Sequence, residues 1–208
     1  MSSVFTRLKI RTVAIWATNA AGVLGVDGEI PWKSPSDLRF YAQNTRNAVV
    51  IMGRKTYQSL PEIAKKNRHI IVLTSRREEL LGVRCAGNID EALGLAMTIA
   101  TQTDCKREIY FAGGAEVYTQ ALRLGLVDEV MRTIVSANAT AGPDMVYAPS
   151  VPPEKYKLAN RYCVTPDDEP PLEFQHYICH EIADDFGITR KGEPTSCFYK
   201  ALSGAKLL

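Results

Sequence analysis

Glu108-Ile109-Tyr110-Phe111-Ala112-Gly113-Gly114-Ala115-Glu116-Val117-Tyr118 decides the fold. Glu108 to Ala112 reads as a strand, two glycines break it, and Ala115 to Leu124 reads as a helix. The same punctuation recurs upstream. Ala48 to Met52 is a compact apolar run, Gly53 interrupts it, and Arg54 to Leu60 follows as a short helix. Thr12 to Ala17 and His69 to Thr74 are further buried strands, and Val83 to Cys85 is a weaker one. Asn88 caps a helix over Ile89 to Ala100, with apolar residues at 89, 92, 93, 96, 97 and 100. Strands alternating with helices predict a single α/β domain with a mostly parallel central sheet and helices on both faces. Asp128 to Val135, Tyr156 to Val164 and Glu173 to Glu181 are also strand-like. The last two are joined by the acidic, proline-rich Thr165 to Leu172 and should form an antiparallel pair at one edge.

The chain has 208 residues, 46% of them apolar and 23% charged, with a formal net charge of +2. That suits one globular domain and demands neither nucleic acid nor a membrane surface. Five cysteines at 85, 105, 163, 179 and 197 are widely spaced and contain no CxxC. A disulfide framework or a metal site is not expected, and a reducing cytoplasm fits best. The first residues lack the apolar run of a signal peptide, and no stretch approaches a transmembrane helix. Residues 1–10 read as an N-terminal extension, 11–182 as the domain, and 183–208 as a C-terminal extension.

Thr18 to Ser34 reads as one long loop, and loops of that length in compact domains carry function or move. It ends in Ile30-Pro31-Trp32-Lys33-Ser34-Pro35-Ser36-Asp37-Leu38. Ser34 is a good N-cap, Pro35 suits the first helical position, and the helix runs to about Gln43. Asp37 therefore lies on a first helical turn, with Leu38, Phe40 and Tyr41 close by. Burial among them would raise its pKa, and the helix N-terminus would oppose that rise. Spacing alone favours a different role: a capping carboxylate bonded to backbone N–H groups.

Three turns at strand ends are suited to anions. Gly53-Arg54-Lys55-Thr56 places a glycine, two cations and a hydroxyl at a helix start. Gly113-Gly114 lets a ligand approach the backbone closely, although the G-x-G-x-x-G fingerprint is absent. Thr74-Ser75-Arg76-Arg77 offers hydroxyls and guanidinium forks to a phosphate monoester. Each has a bland reading as a turn or basic patch; their joint occurrence at strand C-termini points to a phosphate-rich cofactor. His176 and His180 fall in a strand and read as structural.

Taken in order, these residues resemble dihydrofolate reductase. The matching segments are Val13 to Ala17, Leu24-Gly25, Ile30-Pro31-Trp32 with Asp37-Leu38, Val50 to Thr56, Ile71 to Ser75, Ile109 to Tyr118, and Thr133, spread over about residues 11–182. The resemblance implies hydride transfer from NADPH to dihydrofolate, giving tetrahydrofolate for one-carbon metabolism and thymidylate synthesis. It implies that Asp37 binds the pterin and assists N5 protonation, that Trp32 holds a water, and that Thr133 hydrogen-bonds Asp37. Ile15, Trp16, Ala17, Leu38, Tyr41, Leu60 and Ala112 would wall the substrate pocket. Arg68 would grip the substrate's glutamate tail with a bidentate fork.

For the cofactor, the resemblance implies Arg54, Lys55, Thr56, Thr74, Ser75 and Arg76 at the phosphates. Gly53, Leu73, Ala17, Leu24 and Gly113, Gly114, Ala115, Glu116, Val117 and Tyr118 would line the rest, with the Gly113–Gly114 peptide cis. The loop from Ala20 to Ile30 would close over the nicotinamide. Antifolates such as methotrexate or trimethoprim would bind, and the protein would act as a monomer without metal. Departures from the family pattern fall at Trp16, bulky where the family commonly has a small residue beside the pterin, at Pro61 to Asn67, at Gly142-Pro143-Asp144-Met145, and in both extensions. Two other readings stay open: a reductase of the same fold acting on a pyrimidine ribosyl phosphate, and a non-catalytic protein that kept the fold.

Overall fold

The computed structural model describes residues 10–138 and 142–180. Residues 1–9 and the expected extension at 183–208 lie outside the described residues. Hydrogen bonding orders the strands β5-β4-β3-β6-β1-β7-β10-β9 in one eight-stranded sheet. Their ranges are β1 Arg11–Asn19, β3 Val49–Gly53, β4 His69–Leu73, β5 Arg84–Ala86, β6 Glu108–Phe111, β7 Glu129–Val135, β9 Tyr156–Val164 and β10 Leu172–Cys179. A two-stranded sheet pairs β2, Val23–Val26, with β8, Met145–Tyr147. The described residues form two compact units: 10–14 with Thr45–Val127, and Ile15–Asn44 with 128–180.

The first unit is the parallel one. β1 with β6, β6 with β3, β3 with β4 and β4 with β5 all run parallel. Their side chains are apolar on both faces, as a doubly covered sheet requires: Val50, Ile51, Met52, Ile71, Val72, Ile109, Tyr110 and Phe111 are all fully buried. Four helices belong to this unit: α2, Arg54–Ser59; α3, Glu62–Lys65; α4, Ile89–Gln102; and α5, Ala115–Arg123. Asn88 caps α4 by accepting from the Glu91 N–H at 2.9 Å. Ile89, Ala92, Leu93, Ala96, Ile99 and Ala100 form its buried stripe, which packs on β3 and β4. Truncating Leu93 there would cost about 2–5 kcal/mol.

The second unit holds the antiparallel strands and α1, Pro35–Thr45, through Asn44. β10 pairs antiparallel with β7 on one side and β9 on the other, so β9 rather than the last strand lies at the edge. Phe40 of α1 meets Phe174 of β10 with ring centroids 4.6 Å apart, and Phe174 is the register partner of Thr133. This contact ties α1 to the strand pair that carries Thr133. His176 is buried with its Nε2 2.7 Å from Glu129 Oε2, in keeping with a structural role.

Element bounds follow the sequence closely, with one correction and two additions. Thr18 to Ser34 is not one loop, because β2 lies inside it and pairs with β8. β8 was not expected: its partner is far away in sequence and its three residues show no alternation over enough positions to detect. A short helix, α3, occupies part of Pro61 to Asn67, where Lys65 reaches Glu62 at 2.7 Å and lies over the Tyr57 ring.

Candidate active site

The second unit builds its functional corner at the start of α1. Ser34 is the N-cap: its hydroxyl oxygen accepts from the Asp37 N–H at 3.2 Å, and its carbonyl accepts the first helical bond from Leu38. Glu169, from the loop between β9 and β10, takes the next amide. Its Oε2 accepts from the Ser36 N–H at 3.0 Å and from the Ser34 hydroxyl at 2.9 Å, and its Oε1 accepts from the Ser36 hydroxyl at 3.0 Å. The first-turn donors are thus met by Ser34 and Glu169, and Asp37 is not the cap that its spacing suggests.

The Asp37 side chain turns to β7 instead, where the buried Thr133 hydroxyl donates to it. The residue is half-buried. Burial pushes its carboxyl up from 3.8 to about 6; the Thr133 hydrogen bond pulls the other way, and the negative charge of Glu169 adds to the rise. A carboxyl held there exists in both protonation states near neutral pH, as general acid–base work needs. Beside it, Leu38 is 54% exposed, a large apolar side chain in the open. Trp32, Ala17 and Tyr41 are half-buried, whereas Ile15 and Trp16 are buried in β1.

The first unit brings two glycine turns together. The Gly53 N–H donates to the Gly113 carbonyl at 2.7 Å, so the ends of β3 and β6 lie side by side. Gly53 starts α2 and Gly114 starts α5, and neither helix start has a side-chain cap. Gly113 sits at φ 106, and the Gly113–Gly114 peptide is cis. A Cβ at Gly113 would stand 3.1 Å from the Tyr118 hydroxyl and 3.4 Å from Thr56 Cγ2; one at Gly114 would stand 3.4 Å from Thr56 Oγ1. Only glycine keeps this backbone accessible. Val117 and Tyr118 are buried, Ala115 is half-buried, and Glu116 is exposed.

Thr74 closes β4 with its hydroxyl accepting from the Arg76 N–H at 3.0 Å. Ser75, Arg76 and Lys55 are exposed. Arg54 bonds Gln58 along α2 at 3.2 Å. Arg77 is committed elsewhere, to Glu91 at 2.6 Å, and Glu91 also takes the Gly87 N–H at 2.8 Å. That backbone bond, with the Arg77 fork, lowers the Glu91 pKa. Arg68 is held by the Thr45 hydroxyl at Nε, 2.7 Å, and by the Lys66 carbonyl at Nη1, 2.8 Å. Leu60 and Leu73 are half-buried and Ala112 is buried. In the second unit, Leu24 lies on β2 and is half-buried. The turn after β2 is fastened to the Gly142–Met145 segment, where the Asp144 N–H donates to Asp27 Oδ1 at 3.3 Å.

Glu169 is the residue that sequence reasoning missed. The acidic loop was legible, yet no local signal says which helix it meets 135 positions away. Among the described residues, no group of His, Cys, Asp and Glu could hold a metal. Nor is any helix there long and apolar enough to cross a membrane.

An open α/β sheet with glycine-started helices at strand ends and a proton-retaining carboxyl on a first helical turn belongs to the ligand-binding class of such sheets. Within that class the chain belongs to the dihydrofolate reductase family, whose sequence model matches residues 11–180. It is similar to the dihydrofolate reductase of Enterococcus faecium, 34% identical over 127 residues that make up 60% of this chain and 71% of that protein. Against the enzyme of Mycobacterium tuberculosis (strain ATCC 25618 / H37Rv) it is 30% identical over 131 residues, 62% of this chain and 74% of the relative. Against the type 8 enzyme of Escherichia coli it is 38% identical over 112 residues, 50% of this chain and 63% of the relative. A solved dihydrofolate reductase from Enterococcus faecalis, complexed with NADP(H) and RAB-propyl, superposes with a TM-score of 0.67 at 24% identity. It covers 82% of this chain and 96% of its own, and this likeness concerns the fold.

Proposed function

We propose that Asp37 is the group with which this reductase binds the pterin of dihydrofolate and assists its protonation. The observation that carries the proposal is the release of Asp37 from capping: Ser34 and Glu169 serve the helix start, and the carboxyl faces Thr133 with its pKa raised to about 6. The chain is an NADPH-dependent reductase of 7,8-dihydrofolate. Asp37 would accept from the 2-amino group and N3 of the pterin, and its proton-retaining character would help deliver a proton towards N5 through solvent. Thr133 fixes the carboxyl's orientation. Trp32 would hold a water near the ring, Leu38 and Tyr41 would contribute apolar wall, and Arg68 would grip the glutamate carboxylate.

The first unit's residues fit the cofactor. The glycine turns at 53 and 113–114 form a cradle that a Cβ would crowd, and the starts of α2 and α5 lack side-chain caps. Backbone N–H groups there would receive the pyrophosphate, while Thr74, Ser75 and Arg76 would hold the 2′-phosphate. When bound, NADPH supplies the hydride. The reading extends to inhibition by antifolates such as methotrexate, to a monomeric catalytic domain over 11–182, and to a reducing cytoplasm, which suits the four described cysteines, all of them free.

Loss of NADPH absorbance on addition of dihydrofolate measures the reaction. Asp37→Asn should lower the rate at neutral pH by about a hundredfold or more, with partial recovery as pH falls. An unchanged rate removes Asp37 from the mechanism.

A further inference from the structure

Glu169 is joined to the acid of α1 by a short chain of hydrogen bonds. The Asp37 N–H donates to Ser34 Oγ at 3.2 Å, and the Ser34 hydroxyl donates to Glu169 Oε2 at 2.9 Å. The same oxygen accepts the Ser36 N–H, and the second oxygen accepts the Ser36 hydroxyl, both at 3.0 Å. The chain turns at Asp168, which takes φ 61, and so presents Glu169 to the helix. One carboxylate thus spans the N-cap and the second residue of α1. No cation of the described residues lies within ion-pair distance of it, so its charge is answered by the helix start and two hydroxyls.

We propose that Glu169 is a positioning residue for Asp37. It takes the Ser36 N–H of the first turn, and its negative charge sits against the positive end of α1, leaving the Asp37 carboxyl turned to Thr133. The inference rests on the assignment of Asp37 to the pterin.

Two effects have the same origin. A first-turn carboxylate is normally stabilised as the anion by the helix N-terminus, which lowers its proton affinity. A second carboxylate bonded to that N-terminus cancels much of the field and adds like-charge repulsion. The other charged groups around Asp37 do not perform this role. β7 presents the neutral Thr133, while Lys33, Arg39, Asp167 and Asp168 are exposed. On β10, Glu173 is ion-paired with Arg161 at 2.6 Å, and on β7 Arg132 is bonded to Gln175.

The test is a titration of the Asp37 carboxyl by carbon NMR on the ligand-free full chain, assigned with Asp37→Asn, together with the pH profile of NADPH-dependent dihydrofolate reduction. Glu169→Gln keeps the shape and removes the charge. It should lower the Asp37 midpoint by about half a pH unit, the size expected of one charge acting through a water-like dielectric over a helical turn or two. The rate profile should move the same way. Glu169→Asp, which keeps the charge, should stay close to the wild-type midpoint. An Asp37 midpoint unmoved in Glu169→Gln overturns the proposal, as does an equal shift in Glu169→Asp. A midpoint that moves in the titration while the rate profile stays fixed supports the tie and overturns the assignment of Asp37 to the reaction, so the two failures are distinguishable.

Discussion

The start of α1 and the start of α5 solve the same problem in opposite ways. Every helix begins with backbone N–H groups that its own ladder leaves unmet, and with the positive end of its dipole. At α1 the protein answers from within: Ser34 and Glu169 take those donors. At α5, and at the shorter α2, glycine starts the helix and no side chain caps it. A helix start that supplies its own anion has no call for another, and its neighbouring acid turns elsewhere, here to Thr133. A helix start without one is suited to a ligand's phosphate. The two starts differ in what meets their backbone donors, side chains at α1 and none at α5.

The sharpest break in this comparison is Asp37→Asn, which should have opposite effects on rate and stability. Besides the loss of rate, it should stabilise the fold at neutral pH by on the order of 2 kcal/mol. The folded pKa, about 6, lies above the unfolded value of 3.8. Protonation therefore favours the folded state below 3.8, and that stability is lost as pH rises through about 6. Thermal melts across that window should fall for the wild type and stay flatter for the variant. Melts that run parallel would show that the carboxyl is not held in an unfavourable setting.

At the glycine start, Gly113→Ala should be the next largest effect. The residue sits at φ 106 with Tyr118 and Thr56 against the new methyl, so a loss of about 1–3 kcal/mol is expected, with weaker NADPH binding by fluorescence titration. Wild-type affinity in this variant would refute the cradle. Arg76→Ala should be milder, reducing the preference for NADPH over NADH by about tenfold in kcat/KM, the worth of one charge-assisted hydrogen bond. An unaltered preference moves the 2′-phosphate to another residue. Ser34→Ala should be the smallest: about 1 kcal/mol of stability, or a melting temperature lower by roughly 2–4 °C. No change in melting would mean that Glu169 alone suffices as the cap.

Much of this was legible without coordinates because it depends on near neighbours. Buried parallel strands betray themselves as unbroken apolar runs, as at Val49 to Met52 and Ile109 to Phe111. Asn88 announces α4, and the glycines announce the turns. β8 and Glu169 were not legible for one shared reason: each gains its role from a partner remote in the chain, β8 from β2 and Glu169 from α1. Asp37 was legible as a first-turn acid but not as a free one. Its spacing from Ser34 is that of a capping box, and a capping box and a released acid have the same local pattern.

The sequence by itself determined the α/β class, the order of the main strands and helices, and the family, because periodicity, propensity and capping act over a few residues. The tertiary structure decided which carboxylate meets the start of α1, Glu169 of the β9–β10 loop rather than Asp37 of the first turn. That choice depends on where the β9–β10 loop returns, and on the Thr133 hydroxyl at the far end of a hydrogen bond. Local spacing sets what Asp37 is able to do; the charge and donors that folding brings to it set which of those things it does.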